Sequence, residues 1–196
     1  RYSNLTELIR VVVMRSGGSV GKAAKTPAAV ETDPETGKDR VVFGGEIMTR
    51  RKQLVALAEA KWPKLRELIE GILQGDENGN GRPNRIFVWS EYVNALEKAK
   101  EELNCNGYIA ELVTGQTPKV ERRCLLTEAW GRDFPVLLIA KIGEEGLDYP
   151  EVAHGIIIAG AKTSRQNVQR VGRLMRPQPG KVARLWVLFA EGTMEE

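Results

Sequence analysis

The amino-acid sequence predicts an α/β fold, a parallel sheet with helices on both faces, and two observations support this prediction. From residue 85 to the end of the chain, short apolar runs alternate with segments of helical periodicity. Strands that alternate with helices in this way pair in parallel, and continuous apolar runs are typical of strands buried on both faces. The chain has 196 residues, of which 42% are hydrophobic. This is enough to bury a core of ordinary size.

The elements of this region follow one another regularly. RIFVW is the first strand run, and Ser90 stands where it would cap the helix EYVNALEKAKEEL. One face of that helix is apolar and consists of Val93, Leu96, Ala99 and Leu103. The later strand runs are YIAELV, PVLLIA, GIIIAG and ARLWVLFA, with one helix from Pro118 through Trp130 and another in SRQNVQRVGRLM. Ligands of such sheets bind at the carboxyl ends of the strands, where the loops GQT and KIGEEGLD begin.

The first 84 residues are less regular. LTELIRVVVM and RVVFGGEIM predict two strands or helix-end extensions that flank a mobile loop. A helix is predicted over residues 46–60, and Pro63 suits the first turn of a second helix that ends near Leu73. We therefore expect residues 1–84 to form N-terminal helices and a mobile insertion that pack on a core domain of residues 85–196.

Composition and charge exclude several classes of protein. No apolar run is long enough to span a membrane and no secretory signal is present, so a soluble protein is expected. Cys105 and Cys124 are too few for a disulfide framework, and we expect both to be small core residues in a reducing compartment. The net charge of +3 and the pI of about 8.9 permit a polyanionic partner without requiring one. Because the chain starts at Arg1 and not at Met, we expect an excised domain.

Two short motifs and one histidine resemble parts of ligand sites, but the other residues that such sites require are missing. SGGSVGK departs from a phosphate-binding P-loop, because Ser16 replaces the first glycine and Ala23 the magnesium-binding hydroxyl residue. DENGNG opens like a calcium loop, but Phe87 stands where the bidentate glutamate is required. His154 is the only histidine, so a histidine-based metal cluster is excluded and a structural role is expected.

The segment SRQNVQRVGRLMRPQ, residues 164–178, carries the strongest functional signal. On a helix, Gln169, Arg173 and Arg176 share one stripe, with Gln166 just before them. No Asp or Glu occurs between Glu151 and Glu191, so an anionic ligand is expected to supply the counter-charge. Planar guanidinium groups suit phosphate oxygens, and Gly172 permits a close approach at a cost of about 1 kcal/mol in helix propensity. A solvated basic helix is the structural alternative.

These residues resemble the conserved motifs of superfamily 2 helicases. QRVGRLMRP resembles motif VI, QRxGRxxR, and AKIGEEGLDYPEV resembles motif V, with Gly146 and Asp148 in its G-x-D positions. IFVWSEYVNALEKAKEEL is similar to motif IV, and GQTPKVERR to motif IVa, where G-x-T precedes a helix that carries an arginine. The order and spacing agree from about residue 85 onward. The chain is thus similar to the C-terminal RecA-like domain of these helicases, most of all to the XPB type. The sequence GEEGLD also occurs in helicases of the Hef and RIG-I types.

The resemblance implies the second of two RecA-like domains, with ATP and Mg²⁺ held mainly by a first domain that this sequence does not contain. An isolated second domain would be inactive as an ATPase. Arg173 and Arg176 would be the catalytic arginine fingers that stabilise charge on the transferred phosphoryl group. The residues assigned to the nucleotide are Gln169, Arg170, Gly146 and Asp148, of which Asp148 would accept a hydrogen bond from the ribose.

Nucleic acid, expected as single-stranded DNA or a duplex junction, would bind along another part of the same domain. Gly115 and Thr117 would offer backbone amides and a hydroxyl to phosphate, Lys141 and the Gly143 amide would do the same, and Ser90 is a further candidate. Plain capping or solvation is the alternative for each. The loop over residues 15–40 is either a disordered insertion or a hairpin that touches DNA.

Other functions are compatible with the sequence. The chain is either the motor half of a DNA helicase, part of an RNA helicase or a restriction-type translocase, or a RecA-like nucleic-acid-binding or annealing module that does not hydrolyse ATP. The partners expected are DNA and the first RecA-like domain, without a membrane. The compartment would be the cytoplasm or nucleoid in a prokaryote or virus and the nucleus in a eukaryote.

Overall fold

The computed structural model describes residues 23–75, 84–140, 152–160 and 182–193. The chain separates into two compact units, residues 1–55 and 56–196. Each unit is described by itself below. The extent predicted for the core domain, residues 85–196, stays a prediction.

The first unit contains a β-hairpin followed by a helix. Strand β1 (Pro27–Thr32) pairs antiparallel with β2 (Asp39–Phe43), and α1 (Gly44–Ala56) follows directly. Asp33 shapes the turn between the strands, because its carboxylate accepts hydrogen bonds from the amides of Glu35 and Thr36 at 2.9 and 2.8 Å. Gly37 has a φ of 65°, which glycine adopts without strain. Of the two alternatives predicted for residues 15–40, the hairpin is therefore confirmed, and the mobile loop was wrong for residues 27–32, which form a strand. A contact between this hairpin and DNA stays a prediction.

Four charged side chains join the hairpin to α1. Arg40 and Arg50 contact Glu46 at 2.6 and 2.7 Å, and both arginines also pair with Glu31. Hydrogen bonds from Arg40 hold the pKa of Glu46 below its ordinary value of 4.5. The pKa of Glu31 is lowered as well, chiefly by a hydrogen bond from Arg50. Both carboxylates are thus more acidic in the folded unit than in an unfolded chain.

The second unit is a five-stranded parallel sheet with helices, as the sequence predicts. The spatial order of the strands is β4-β5-β3-β6-β7. The strands are β3 (Ile86–Ser90), β4 (Ala110–Val113), β5 (Val136–Ile139), β6 (His154–Ala159) and β7 (Arg184–Val187). The helices described here are α2 (Lys61–Gln74), α3 (Val93–Cys105) and α4 (Lys119–Cys124), which continues as a π-helical turn (Leu125–Ala129).

Both faces of this sheet are covered by apolar side chains. Alternate residues of β3 point to opposite faces, so that Ile86 and Val88 lie in one cluster and Phe87 and Trp89 in the other. Helices α2 and α3 complete the first cluster, for example with Leu65. The segment after α4 completes the second. Since each strand of this kind is apolar on both sides, continuous hydrophobic runs were a reliable signal.

Several local predictions need correction. Helix α3 begins at Val93, with Tyr92 as its N-cap, so Ser90 does not cap it. The buried face of α3 starts at Ala95 and not at Val93, which is the first residue of the helix and is 41% exposed. The helix predicted from Pro118 through Trp130 is α4 followed by the π-helical turn.

Both cysteines lie at the surface. Cys105 and Cys124 are exposed free thiols and not the core residues that were predicted. They occupy the last positions of α3 and α4. His154, by contrast, is buried and stacks on Trp186 with ring centroids 5.7 Å apart, which supports a structural role. Within the described ranges, no helix is long and apolar enough to cross a bilayer.

Candidate nucleic-acid interface at the carboxyl edge of the sheet

Parallel pairing brings the carboxyl ends of four strands to one edge of the sheet. β3 ends at Ser90, β4 at Val113, β5 at Ile139 and β6 at Ala159. In sequence, GQT begins at Gly115, two residues after the end of β4, and KIGEEGLD begins at Lys141, two residues after the end of β5. The arginine segment begins at Ser164, five residues after the end of β6. Carboxyl ends of parallel strands are where ligands of such folds bind. The strand ends that precede the predicted functional segments in sequence therefore lie at one edge, and the assembly of these segments into one site stays a prediction.

The turn from Thr114 to Thr117 is held by its own threonines. The Thr117 hydroxyl oxygen accepts from the Thr114 amide at 2.9 Å, and the Thr117 amide donates to the Thr114 carbonyl at 3.2 Å. The Gln116 amide donates to the Thr114 hydroxyl oxygen at 3.2 Å. A threonine hydroxyl that accepts one bond still has a proton to donate. The turn thus fixes the position of the Thr117 hydroxyl and leaves its proton available.

Arg122 of α4 closes the same turn from the helix side. Its Nη2 donates to the carbonyl oxygens of Thr114, Gly115 and Thr117 at 3.2, 3.3 and 2.9 Å. The side chains of a helix lean toward its N-terminus, which brings a guanidinium from the first turn back over the preceding loop. The resemblance to motif IVa predicts an arginine in this helix but gives neither its position nor its hydrogen bonds. The signal was present in the spacing, since Arg122 follows Thr117 by a little more than one helical turn.

Gly115 is exposed and faces open space. A Cβ built on it would meet no atom within 4 Å, and its φ lies outside the left-handed region. Among the described residues, neither packing nor backbone strain therefore requires glycine at this position. A surface on which a ligand backbone approaches closely is a sufficient reason for it.

Ser90 lies at the edge but is buried. It is 1% exposed, and its hydroxyl oxygen accepts from the Tyr92 amide at 3.0 Å. The next residue is close to the end of β6, because Gly160 has a φ of 84° and a Cβ there would lie 2.4 Å from Cγ of Glu91. Ser90 therefore orients the chain between β3 and α3. A contact between Ser90 and nucleic acid stays a prediction.

The remaining predicted site residues lie outside the described ranges. They are Lys141, Gly143, Gly146, Asp148, Gln169, Arg170, Arg173 and Arg176. SGGSVGK and most of the calcium-like loop lie outside them too. Among the described residues, no group of three or more His, Cys, Asp or Glu side chains is arranged to hold a metal ion.

Comparison with known families identifies the class of protein. The model of the helicase conserved C-terminal domain matches residues 61–178. This is more than half of the chain, so the chain belongs to that family. The fold agrees, since the C-terminal part of the Fun30 ATPase domain aligns with a TM-score of 0.58 at 14% identity, covering 100% of this chain and 63% of that one.

Relatives place the chain near the XPB-type helicases, as the motifs predict. It is 30% identical over 159 residues to a putative DNA 3'-5' helicase Rad25 of Halobacterium salinarum, covering 81% of this chain and 24% of the relative. It is 31% identical to the DNA 3'-5' translocase XPB2 of Sulfurisphaera tokodaii, covering 70% and 28%. The chain thus spans about a quarter of these relatives. Other matching relatives are named as RNA helicases, so the relatives share the helicase class and differ in the nucleic acid that their names give.

Proposed function

We propose that this chain is the second motor domain of an ATP-dependent superfamily 2 DNA helicase or translocase. Its match to the helicase C-terminal family over residues 61–178 is the observation that carries the proposal. The parallel sheet supports it, because the ends of β4, β5 and β6 lead into the segments that resemble motifs IVa, V and VI.

Arg173 and Arg176 are the catalytic residues of this proposal. They reach from motif VI toward nucleotide held by the first RecA-like domain and stabilise negative charge on the transferred phosphoryl group. Gln169 and Arg170 connect this contact to motif V, where Gly146 allows a close approach and Asp148 accepts from the ribose. ATP, with Mg²⁺ bound mainly by the first domain, supplies the free energy. An isolated second domain then has no ATPase activity of its own.

The nucleic-acid grip is formed by neutral donors and one lysine. The Gly115 amide and the Thr117 hydroxyl bind phosphate from the turn after β4, and Lys141 and the Gly143 amide bind it from motif V. The turn hydrogen bonds to Thr114 support this assignment, because they fix the Thr117 oxygen and leave its proton free. Donors of this kind read the backbone and not the bases, so binding is independent of sequence and sensitive to salt.

Movement follows from alternation between two states. Nucleotide bound between the two RecA-like domains favours the closed arrangement, and hydrolysis removes the contact of the arginine fingers. The second domain then moves along the strand relative to the first.

Complementation tests this proposal against a binding module that does not hydrolyse ATP. The chain is fused to, or mixed with, the first RecA-like domain of its own protein, and ATP hydrolysis is measured with oligo(dT), with oligo(U) and without nucleic acid. The proposal predicts turnover only in the combined sample and stronger stimulation by oligo(dT). Absence of turnover in a folded fusion that binds DNA would favour the module. Stronger stimulation by oligo(U) would favour an RNA helicase.

A further inference from the structure

We propose that Arg122 is a positioning residue that orients the turn from Thr114 to Thr117 for its contact with a nucleic-acid phosphate. This inference deepens the proposed function and rests on it. Arg122 acts through the turn and does not itself bind the phosphate, and nothing in the motif comparison assigns it this role.

Three carbonyl groups of the turn converge on one nitrogen of Arg122. Nη2 of Arg122 donates to the carbonyl oxygens of Thr114, Gly115 and Thr117 at 3.2, 3.3 and 2.9 Å. One nitrogen with two hydrogens serves three acceptors, so at least one bond is shared. Three carbonyl dipoles directed at one cation neutralise much of its charge locally. This nitrogen is therefore committed to the turn.

The direction of these carbonyl groups fixes the direction of the amides of the turn. The described peptide bonds are trans, so each carbonyl and the N–H of the same peptide point in opposite directions. Drawing the Thr114 carbonyl toward Arg122 turns the Gly115 amide away from it, toward the exposed side of the turn. The Gly115 amide has no acceptor among the described residues, whereas the Gln116 amide donates to the Thr114 hydroxyl. The Gly115 amide and the Thr117 hydroxyl proton are left for a ligand.

Without this guanidinium the turn would lose three hydrogen bonds. The half-buried Thr114 carbonyl would keep only the Thr117 amide as a donor, at 3.2 Å, and the Gly115 carbonyl would lose its bond from Arg122. A carbonyl that loses a donor is expected to rotate toward water. Rotation of the Thr114 carbonyl would carry the Gly115 amide inward. The turn would then expose a carbonyl acceptor in place of an amide donor, and a carbonyl oxygen repels a phosphate oxygen.

Arg123 provides a matched control. It is the neighbouring residue of α4, carries the same charge, is exposed, and its side chain makes no hydrogen bond within the described residues. Removing either charge lowers the net charge of the domain by one. Only the change at Arg122 removes the three bonds to the turn.

The experiment uses the complete protein that contains this chain. Arg122→Gln, Arg122→Lys, Arg123→Gln and Thr117→Val are compared with wild type for ATPase turnover as a function of oligo(dT) concentration. Affinity for the same oligonucleotide is measured over a range of salt concentrations. Thermal unfolding checks that each variant is folded.

For Arg122→Gln we expect about a tenfold increase in the oligo(dT) concentration at half-maximal turnover, with the maximal rate within about twofold of wild type. The slope of log affinity against log salt is expected to stay unchanged, because the contacts that Arg122 controls are neutral. Arg123→Gln is expected within about twofold of wild type in affinity. Arg122→Lys is expected to lose at least about threefold, because a single ammonium lacks the planar fork of arginine. A double variant with Thr117→Val should lose less than the product of the single losses.

The possible failures are distinguishable. A smaller salt slope for Arg122→Gln, or an equal loss in Arg123→Gln, would mean that charge and not turn geometry matters, and would overturn the inference. Wild-type DNA binding by Arg122→Lys would also overturn the inference. The same holds if a folded Arg122→Gln binds DNA like wild type while Thr117→Val is impaired. Both outcomes would leave the proposed function intact. Wild-type binding by Thr117→Val would reject the contact between the turn and nucleic acid, and the inference with it.

Discussion

Nζ of Lys61 donates a hydrogen bond to the main-chain oxygen of Ile158 at 2.7 Å, although the two residues are 97 positions apart. Lys61 is 2% exposed and is the first residue of α2. The acceptor is available because the register between β3 and β6 shifts at this point, so that Trp89 pairs with Ile157 and Ser90 with Ala159. Ile158 is the extra residue of this bulge, and its carbonyl needs a donor from outside the ladder. The lysine thus stabilises the irregular end of β6, next to the candidate site.

Lys61→Met is expected to lower the free energy of unfolding of the second unit by about 1 to 3 kcal/mol, because the buried Ile158 carbonyl loses a donor while side-chain volume is kept. Urea unfolding followed by tryptophan fluorescence measures this. The control is Lys64→Met, since Lys64 is 54% exposed and pairs with Glu67 at the surface. That change is expected to cost less than about 1 kcal/mol. Equal stability of the two variants would contradict this account of Lys61.

Acid is expected to weaken the first unit through Glu31 and Glu46. Their pKa values are lowered in the folded unit by bonds from Arg50 and Arg40 respectively. Groups of this kind stabilise the folded state above the pKa of the unfolded chain, and the contribution is lost as pH falls through the lower pKa of the folded state. The ordinary value is 4.5 for both residues, so the loss is expected below that pH.

Hydrogen exchange of the hairpin amides as a function of pH, corrected for the intrinsic exchange rate, checks this prediction. Glu46→Gln should flatten the loss of protection between about pH 5 and pH 3. Glu35→Gln is the matched control, because Glu35 lies in the exposed turn and its side chain makes no ion pair within the described residues. Since the pairs are partly exposed, salt at about 1 M should also reduce the difference. The same pH dependence in Glu46→Gln and wild type would show that the network does not stabilise the hairpin.

Gly115→Ala is expected to lower the affinity for DNA with little change in the stability of the fold. A Cβ at this position meets open space at an ordinary φ, so stability should change by less than about 0.5 kcal/mol. Affinity for oligo(dT) should fall about fivefold if a phosphate approaches the backbone as proposed. Gly71→Ala is the control, since Gly71 is an exposed residue of α2 with equally open space. It should raise stability by about 0.5 to 1 kcal/mol and leave binding unchanged. Unchanged DNA affinity in Gly115→Ala would argue against the turn as a contact.

The core of the fold was predictable because its signals are local. RIFVW and PVLLIA read as buried strands, and both became central strands with every residue of β3 and β5 buried. The hairpin was predictable in part, since Asp33, Pro34 and Gly37 form a turn signature within the segment interpreted as a mobile loop. The strand that pairs with β2 could not be identified from the sequence, because β1 is short and contains both polar and apolar residues.

The details of the site depend on tertiary pairing and therefore escape a reading of the sequence. Nothing near Lys61 indicates Ile158 as its acceptor, because the bulge exists only once β3 and β6 are paired. Ser90 was assigned as a helix cap from residue type alone, and the helix begins at Val93. The three bonds of Arg122 likewise require the turn after β4 to be folded. The arginine segment could be recognised from its charge and from the spacing of its residues, without knowledge of the fold.

DNA-stimulated ATP hydrolysis by the complete protein, with Arg173→Ala compared with wild type, tests the central claim most directly. Arg123→Ala is the control, since it removes an exposed arginine that lies outside this segment and whose side chain makes no hydrogen bond within the described residues. The account predicts a loss of about a hundredfold or more in turnover for Arg173→Ala with DNA binding retained, and turnover near wild type for the control. Unchanged turnover in Arg173→Ala would contradict the assignment of arginine fingers to this segment.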